Sequence, residues 1–412
     1  MPCRIDTPVR DPARAARPLP EPLAWIDDDL AALAAAGLER PHRVRTGRTG
    51  REIVLDGRAL VNFGSNDYLG YAGDVRLTKA ASKGACAEGF GAGASPLVSG
   101  QSQAHEALEA ALARLLDVEA ALVFPSGYAA NVATIAALVG PGDVVAIDRR
   151  NHASIIDGCR LSGATLGTYP HRDMAALDRL LDQLRTDAPA ARRRLIVTDT
   201  LFSMDGTVAP LADLCAVARR HAAILMVDEA HATGVLGAHG SGLVEETGCA
   251  DGVHVRVGTL SKAIGAAGGF VAGPARLVHW LRHKARAWVY STAHSPAVAA
   301  AATRGIELIT REPERRRELL ARAAAFRARL AAGGLDLGGA SAQIVPVVVG
   351  PPEEAVALAE RLAAAGFFVP AIRPPSVPAG RSLVRASVAW HHTSADLDRL
   401  AEALMSPALT TP

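Results

Sequence analysis

The sequence of 412 residues lacks several features that mark whole classes of protein. Its five cysteines are scattered and form no Cys-x-x-Cys pair, which argues against a disulfide framework or a zinc site. No uninterrupted apolar run reaches the roughly 18 residues that a membrane helix needs. The 44 basic and 42 acidic residues give a net charge of +2, which does not favour a nucleic-acid surface. Since an apolar signal core is also missing, we expect a cytoplasmic protein.

The composition that remains is that of a globular protein with an ample core. Hydrophobic residues make up 49% of the chain and charged residues 21%, and the length favours two domains. Residues 1–22 carry six prolines and four arginines, so we expect a disordered arm there. Residues 23–74 are predicted to hold a helix and a small β segment, and a loose tail is expected after Met405.

Between residues 75 and 305 the chain alternates helical patterns with short apolar runs. These runs are near-continuous in valine, isoleucine and leucine, as in strands buried on both faces. The alternation predicts an α/β fold, in which a mostly parallel sheet is wrapped by helices. Ligands bind such sheets outside the carboxyl ends of the strands. Residues 306–412 no longer follow this alternation and predict a smaller α+β domain. The predicted strands are Ala121–Phe124, Val144–Asp148, Leu195–Thr198, Ile224–Val227, Val253–Val257 and Gly269–Ala272 in the large domain, and Ile344–Val349, Phe367–Ile372 and Leu383–Val388 in the small one.

One lysine lies where these predictions place a strand end. Lys262 follows an apolar run and is surrounded by small and hydroxyl residues, although an isolated lysine of this kind is usually a solvated surface charge. Upstream, Asp228 ends another apolar run, and Phe124–Asn131 forms a strand-to-helix turn suited to a phosphate. A phosphate site, an acid and a lysine, in this order, match the phosphate, pyridine nitrogen and aldehyde of pyridoxal phosphate (PLP).

Several segments in one order resemble those of the α-oxoamine synthases, PLP enzymes of fold type I. The resemblance runs from about Asn62 to the last helix, and implies that the chain is a PLP-dependent transferase that acts on an amino acid and an acyl thioester. The segments are Ser65–Gly70, Ser126–Asn131, Asn151–Ser154, Phe202–Gly206, Asp228–His231, Thr259–Lys262 and Ile372–Pro378.

The resemblance implies a role for four catalytic residues. Lys262 resembles the lysine that bonds to the cofactor aldehyde and later takes the Cα proton, for which its amine must be neutral. Asp228 would pair with the pyridine nitrogen, His231 would reach the ring oxygen, and His152 would stack on the ring. Taken alone, Asp228 is more typical of a helix N-cap, and each histidine of a loop or core position.

Further residues match positions that hold the cofactor. The resemblance also implies a homodimer, since Thr292 or its neighbour Ser291 would reach the phosphate of the adjacent subunit. The other hydroxyls are also typical of ordinary turns. The matched cofactor residues are Gly127, Tyr128, Ser203, Thr259 and Thr292.

The substrate residues implied by the resemblance are Asn66 and Arg385, which match positions that hold the amino-acid carboxylate, and Ser376, near the acyl substrate. Arg385 alone would be interpreted as an outward-facing strand charge. A family arginine linked to the acyl group aligns with Glu39 or Arg40.

The glycine-rich segment Gly89–Pro96 differs from the family at one position, with Pro96 where relatives often carry arginine. The same segment partly matches a dinucleotide-binding fingerprint, but no predicted strand precedes it.

The Arg373-Pro374-Pro375 segment most resembles family members of biotin synthesis, which condense L-alanine with a pimeloyl thioester, carried on CoA or a carrier protein. Three alternatives remain. They are a sister synthase that uses glycine or serine with another acyl-CoA, a PLP lyase or aldolase, and a non-catalytic partner subunit. The last typically lacks the lysine that is present here.

Overall fold

The computed structural model describes residues 21–40 and 42–406, so the predicted arm, apart from its last two residues, and the predicted tail from residue 407 lie outside the described residues. The chain divides into two units, residues 1–43 and 44–412. The described part of the first unit holds a 3-10 turn, Glu21–Leu23, and helix α1, Trp25–Ala35, which confirms the predicted helix. None of the described helices is both long and apolar enough to cross a membrane.

The second unit contains the remaining helices and all strands of the described residues. Its helices are α2 (Val75–Glu88), α3 (Gln103–Leu116), α4 (Gly127–Leu138), α5 (Ala153–Ser162), α6 (Met174–Asp187), α7 (Leu211–Arg220), α8 (Leu243–Glu246), α9 (Ala275–Lys284), α10 (Arg286–Val289), α11 (Pro296–Arg311), α12 (Pro313–Ala332), α13 (Pro352–Ala364) and α14 (Ser394–Met405). Its strands are β1 (Arg45–Thr46), β2 (Glu52–Leu55), β3 (Arg58–Asn62), β4 (Ala120–Phe124), β5 (Val144–Asp148), β6 (Thr165–Tyr169), β7 (Arg194–Asp199), β8 (Ile224–Asp228), β9 (Val255–Thr259), β10 (Gly269–Gly273), β11 (Ile344–Gly350), β12 (Phe367–Phe368), β13 (Ala371–Ile372) and β14 (Ser382–Ser387).

A seven-stranded sheet forms the centre of this unit, in the order β4-β10-β9-β8-β7-β5-β6. Strand β10 runs antiparallel to the other six strands, which all run in one direction, and this confirms the predicted, mostly parallel α/β sheet. Every residue of β5, β9 and β10 is buried, because helices cover both faces. The parallel strands bring the ends of β7, β8 and β9 to one edge of the sheet.

Two smaller sheets bring the two ends of the second unit together. Strand β12 pairs in parallel with β3, so the β segment near residue 60 shares a sheet with residues 367–368. The other small sheet has the order β11-β14-β13, with β14 in the middle. Backbone bonds from Ser387 N–H to Phe63 O (2.8 Å) and from Trp390 N–H to Tyr68 O (2.7 Å) fix β14 beside the loop that follows β3.

The sequence patterns misplaced several elements. The predicted single strand Phe367–Ile372 is wrong: it is divided into β12 and β13, in different sheets, on either side of Pro370, which has no N–H for a ladder. The patterns also missed helices α2 and α6 and the edge strand β6, whose residues are half exposed. Helix α2 precedes Gly89–Pro96, which agrees with the absence of a strand there.

Candidate active site

Three functional side chains lie at the carboxyl ends of neighbouring strands. Asp199 ends β7 and Asp228 ends β8, and the two residues are direct partners in the parallel register. Lys262 follows β9, the next strand, by three residues. The fold therefore gathers two carboxyls and one amine at the edge where α/β sheets bind ligands.

The environment of Lys262 favours the neutral amine. Burial lowers the pKa of Lys262 from 10.5 to about 8, an effect that Arg385 reinforces and that the carboxyls of Asp228 and Asp199 oppose. Only a neutral amine can attack an aldehyde or accept a proton. Near neutral pH, the unprotonated fraction of an amine with this pKa is much larger than that of a solvated lysine.

A chain of hydrogen bonds orients Asp228. Its Oδ2 accepts a bond of 2.6 Å from the Asn131 side-chain amide, and its Oδ1 accepts one of 2.8 Å from the backbone N–H of Ala230. The Asn131 amide also donates to Ser154 Oγ at 2.9 Å, and Ser154 Oγ is 2.7 Å from His152 Nδ1. The bond to Ala230 is of the local turn type expected for an aspartate after a strand. The bond from Asn131 is different, because its donor stands on helix α4. The predicted pyridine partner and the predicted stacking histidine thus belong to one network.

Asp199 is a buried carboxyl that the sequence patterns did not single out. Its Oδ2 accepts a bond of 2.9 Å from the backbone N–H of His152. Burial, and then the neighbouring charge of Asp228, raise the pKa of Asp199 well above its usual value. Two adjacent buried carboxyls cannot both be ionised at low cost, so we infer that Asp199 keeps its proton.

His231 belongs to a second network with the predicted carboxylate-binding residues. Its Nδ1 is 2.6 Å from the Tyr68 hydroxyl. Arg385 Nη2 donates to Asn66 Oδ1 at 3.0 Å and lies 3.5 Å from the same hydroxyl. Burial, together with the charges of Lys262 and Arg385, lowers the pKa of His231 well below its usual value.

Arg385 is buried, so its interpretation as an outward-facing strand charge is wrong. Only 5% of the residue is exposed, and its Nε has no hydrogen-bond partner among the described residues. A buried guanidinium donor without an acceptor is costly. A carboxylate bound beside Nε and Nη2 would supply the missing acceptor in the fork geometry that arginine prefers.

The start of helix α4 provides a cradle for an anion. Gly127 and Tyr128 open this helix, with Ser126 as its N-cap, directly after β4. A side chain at Gly269 would lie 2.4 Å from the Gly127 nitrogen, so glycine is needed where β10 passes the helix end. Thr259 Oγ1 lies beside this turn and is 2.7 Å from Ser261 Oγ. Free N–H groups at a helix start, with nearby hydroxyls, fit the phosphate of PLP.

The strand edge opens into a cavity of about 590 Å³. His152 and Ser203 line it from the segments that follow β5 and β7, and Ser376 lines it from the segment Ile372–Pro378. Much of the wall is apolar, and it includes Ile156, Phe202, Met204, Val348, Val377 and Leu383. Arg149, Arg150 and Arg381 also contribute to the lining. Such a cavity suits an apolar chain with an anionic group.

The remaining predicted residues stand on other elements of the chain. Thr292 and Ser291 lie in a loop after α10, beside Phe124 and Pro125, and Thr292 is exposed. Arg40 follows helix α1 in the first unit, and like Glu39 its role stays a prediction. No cluster of three or more metal-binding side chains occurs in residues 21–40 and 42–406.

Four functional residues escaped the sequence analysis as individuals, namely Tyr68, Asn131, Ser154 and Asp199. Three of them stand inside segments that carried the resemblance, but each contacts its partner from a different element. Asp199 had a local signal, since it ends an apolar strand as Asp228 does. Polar residues that end neighbouring buried strands are the pattern that could have found it.

Comparison with known proteins gives one consistent result. The profile of aminotransferases of class I and II matches residues 58–404. The 8-amino-7-oxononanoate synthase of Citrifermentans bemidjiense is 46% identical over 376 residues, covering 91% of this chain and 95% of the relative. A solved variant of the serine palmitoyltransferase of S. paucimobilis, with bound PLP, is 30% identical with a TM-score of 0.87, covering 94% of this chain and 98% of that one. The solved 8-amino-7-oxononanoate synthase of Francisella tularensis is 25% identical with a TM-score of 0.72, covering 84% and 97%.

Proposed function

The chain belongs to the family of class I and II aminotransferases, and we propose that it is a PLP-dependent acyltransferase that makes 8-amino-7-oxononanoate from L-alanine and a pimeloyl thioester. A bond forms between the alanine Cα and the thioester carbonyl carbon, and the carbon–sulfur bond breaks. The alanine carboxylate leaves as CO2, and the thiol of CoA or of a carrier protein is released. A proton leaves Cα before the condensation and another is added after CO2 is lost.

The residues present fit the cofactor at each of its ends. The start of α4 and Thr259 suit the phosphate, Asp228 suits the pyridine nitrogen, and Lys262 suits the aldehyde. When bound, PLP supplies an electron sink for the charge that develops at Cα. Asp228 would pair with the protonated pyridine nitrogen, and His152 would cover one face of the ring.

The polypeptide then controls position and proton transfer. Arg385 and Asn66 hold the alanine carboxylate, which sets the orientation of the bonds at Cα. Lys262, whose amine loses its proton more readily because burial lowers its pKa to about 8, takes the Cα proton. The apolar wall of the cavity accepts the methylene chain of the acyl group, and Ser376 lies on that wall.

One observation carries this proposal: Lys262 interacts electrostatically with Asp228 and with Arg385, whose Nε is unpaired among the described residues, and the Asp228 network reaches His152, which lines the cavity. The alternative is a synthase that uses serine or glycine with another acyl-CoA. The solved serine palmitoyltransferase, at 30% identity, favours it. The 46% identity to an 8-amino-7-oxononanoate synthase over nearly the whole chain favours alanine and the pimeloyl group.

The test is a visible absorption titration of the purified holoenzyme with L-alanine, L-serine and glycine. Pimeloyl-CoA, palmitoyl-CoA and acetyl-CoA are then added to each, with CO2 and the product mass measured. We expect alanine with pimeloyl-CoA to give the largest release of CO2 and a product of the mass of 8-amino-7-oxononanoate. Lys262→Ala is the control without turnover. Turnover with serine and palmitoyl-CoA instead would assign the alternative reaction, and a protein that binds no PLP would refute both.

We also propose that the active enzyme is a homodimer in which Thr292 reaches the phosphate of the partner's cofactor. The exposure of Thr292 in the single chain supports this arrangement. Sedimentation of the holoenzyme tests the dimer. Mixed dimers of Lys262→Ala and Thr292→Val chains test the shared site, because one of their two sites would keep both residues. Recovery of activity on mixing is expected, and its absence at full dimer exchange would refute the shared site.

A further inference from the structure

The Tyr68 hydroxyl lies at the meeting point of the histidine and the carboxylate-binding arginine. Tyr68 is fully buried in the loop after β3. Its oxygen is 2.6 Å from His231 Nδ1, 3.2 Å from Asn66 Oδ1 and 3.5 Å from Arg385 Nη2. The backbone bond from Trp390 N–H to Tyr68 O holds the loop in place.

The positions of the protons follow from the partners. Arg385 can only donate, and it already supplies Asn66 Oδ1 with a bond of 3.0 Å. The phenol has one proton and two acceptors within reach, Asn66 Oδ1 at 3.2 Å and His231 Nδ1 at 2.6 Å, and we assign the proton to the shorter contact. A ring nitrogen that accepts a hydrogen bond carries no proton, so the neutral ring must carry its proton on Nε2.

The charges around the pair support the same assignment. Burial, and then the positive charges of Lys262 and Arg385, lower the pKa of His231, which favours the neutral imidazole. Burial also raises the pKa of Tyr68 to about 12, although Arg385 opposes this, so the phenol keeps its proton at neutral pH. A neutral phenol and a neutral imidazole share one hydrogen bond, with the phenol as donor.

We propose that Tyr68 is a positioning residue whose hydroxyl fixes the tautomer of His231, so that Nε2–H is always available to donate to the ring oxygen of PLP. In the other tautomer, the lone pair of Nε2 would face that oxygen and repel it. This inference rests on the proposed function only for the identity of the ligand. The tautomer itself is a property of the polypeptide and can be measured without substrate.

The variant Tyr68→Phe removes the hydroxyl and keeps the ring, and Tyr71→Phe is a matched control. Tyr71 is also fully buried and lies three residues along the same loop, but its hydroxyl contacts Glu312 Oε2 (3.3 Å) and not His231. The ring nitrogens are observed by 15N NMR of the holoenzyme labelled in histidine. The His231 signals are assigned by their loss in His231→Gln.

In the wild type and in Tyr71→Phe we expect a single neutral His231 tautomer with the proton on Nε2. In Tyr68→Phe we expect the Nδ1–H tautomer to be populated and the dissociation constant of PLP to rise about fivefold to tenfold, the size of one net hydrogen bond. Thermal unfolding checks that each variant is folded.

A wild-type His231 that is protonated on Nδ1, or on both nitrogens, overturns the inference even if Tyr68→Phe does not fold. A folded Tyr68→Phe variant with an unchanged tautomer and unchanged PLP affinity overturns it as well. Failure of the proposed function has a different signature. It would appear as a lack of PLP binding or as turnover of other substrates, while the tautomer of His231 could still be read in either case.

Discussion

Replacement of Arg385 by lysine tests the role of the guanidinium fork in holding the amino acid. Arg385 is 5% exposed, its Nη2 donates to Asn66 Oδ1, and its Nε has no partner among the described residues. Lysine keeps the positive charge but offers a point donor in place of two parallel N–H groups. The carboxylate would keep its Coulomb attraction and lose one charge-assisted hydrogen bond.

A hydrogen bond to a charged group contributes about 1.5–3 kcal/mol. The loss of about 2 kcal/mol corresponds to roughly a thirtyfold decrease in kcat/KM for L-alanine. Because the carboxylate is bound both before and during the reaction, most of this decrease is expected in KM. Occupancy by PLP should be unchanged, since Arg385 lies on β14 and not at the strand ends.

The assay measures kcat/KM for L-alanine at a saturating pimeloyl thioester, and the dissociation constants of L-alanine and of the non-decarboxylating L-alaninamide from the absorbance of the holoenzyme, which also gives PLP occupancy. The wild type should prefer alanine strongly, and Arg385→Lys should reduce that preference by the same factor of about thirty. Arg329→Lys, an exposed arginine on α12 that pairs with Asp398, is the matched control and should change neither value. An Arg385→Lys enzyme with normal occupancy and an unchanged preference for alanine would refute the assignment of the carboxylate site.

Three further predictions concern the strand-end network. The rate at which PLP bonds to the apoprotein should rise with pH and level off above about pH 8, the lowered pKa of Lys262, because only the neutral amine reacts; a rise that continues to pH 10 would contradict this. Asn131→Ala removes the donor that lies 2.6 Å from Asp228, so the dissociation constant of PLP, measured by absorbance titration, should rise about tenfold. An unchanged dissociation constant would show that Asp228 is oriented without Asn131. In Asp199→Asn apoprotein, denaturant unfolding should show a growing stability advantage over the wild type as pH rises above about 4. Because the pKa of Asp199 is raised in the native wild type, the folded protein holds a proton that the unfolded chain releases, and the free energy of unfolding of the wild type falls as pH rises. A difference between the two proteins that does not depend on pH would indicate that Asp199 is an ordinary ionised carboxyl.

The central strands could be predicted because their signal is local. Val144–Asp148 agrees with β5 at both ends, since a continuous apolar run lies between Gly142 and the polar residues that follow. Strand β6 was missed because it is an edge strand with only two buried residues and an internal glycine, so it has no apolar run. Hydrophobic patterns report burial, and they fail where an element is half exposed.

The site could be predicted only in part, and Arg385 and Tyr68 show the limit. All six residues of β14 are buried, so alternation along the strand could not reveal the direction in which Arg385 points. The contact of Tyr68 with His231 spans 163 residues, and no local pattern encodes it. The resemblance supplied roles for His231 and Arg385, but the hydroxyl between them required the fold.

The division of the site between two structural supports bears on how it selects its substrate. The groups suited to PLP stand on the ends of β7, β8 and β9 and on the start of α4, all within one sheet and its helices. The groups suited to the amino-acid carboxylate stand on β14 and on the loop after β3, which are joined to each other by backbone bonds. The Tyr68–His231 bond connects the two supports. Changes in β14 or in that loop should therefore alter the choice of amino acid and leave the binding of PLP nearly constant, except at Tyr68, where both should change together.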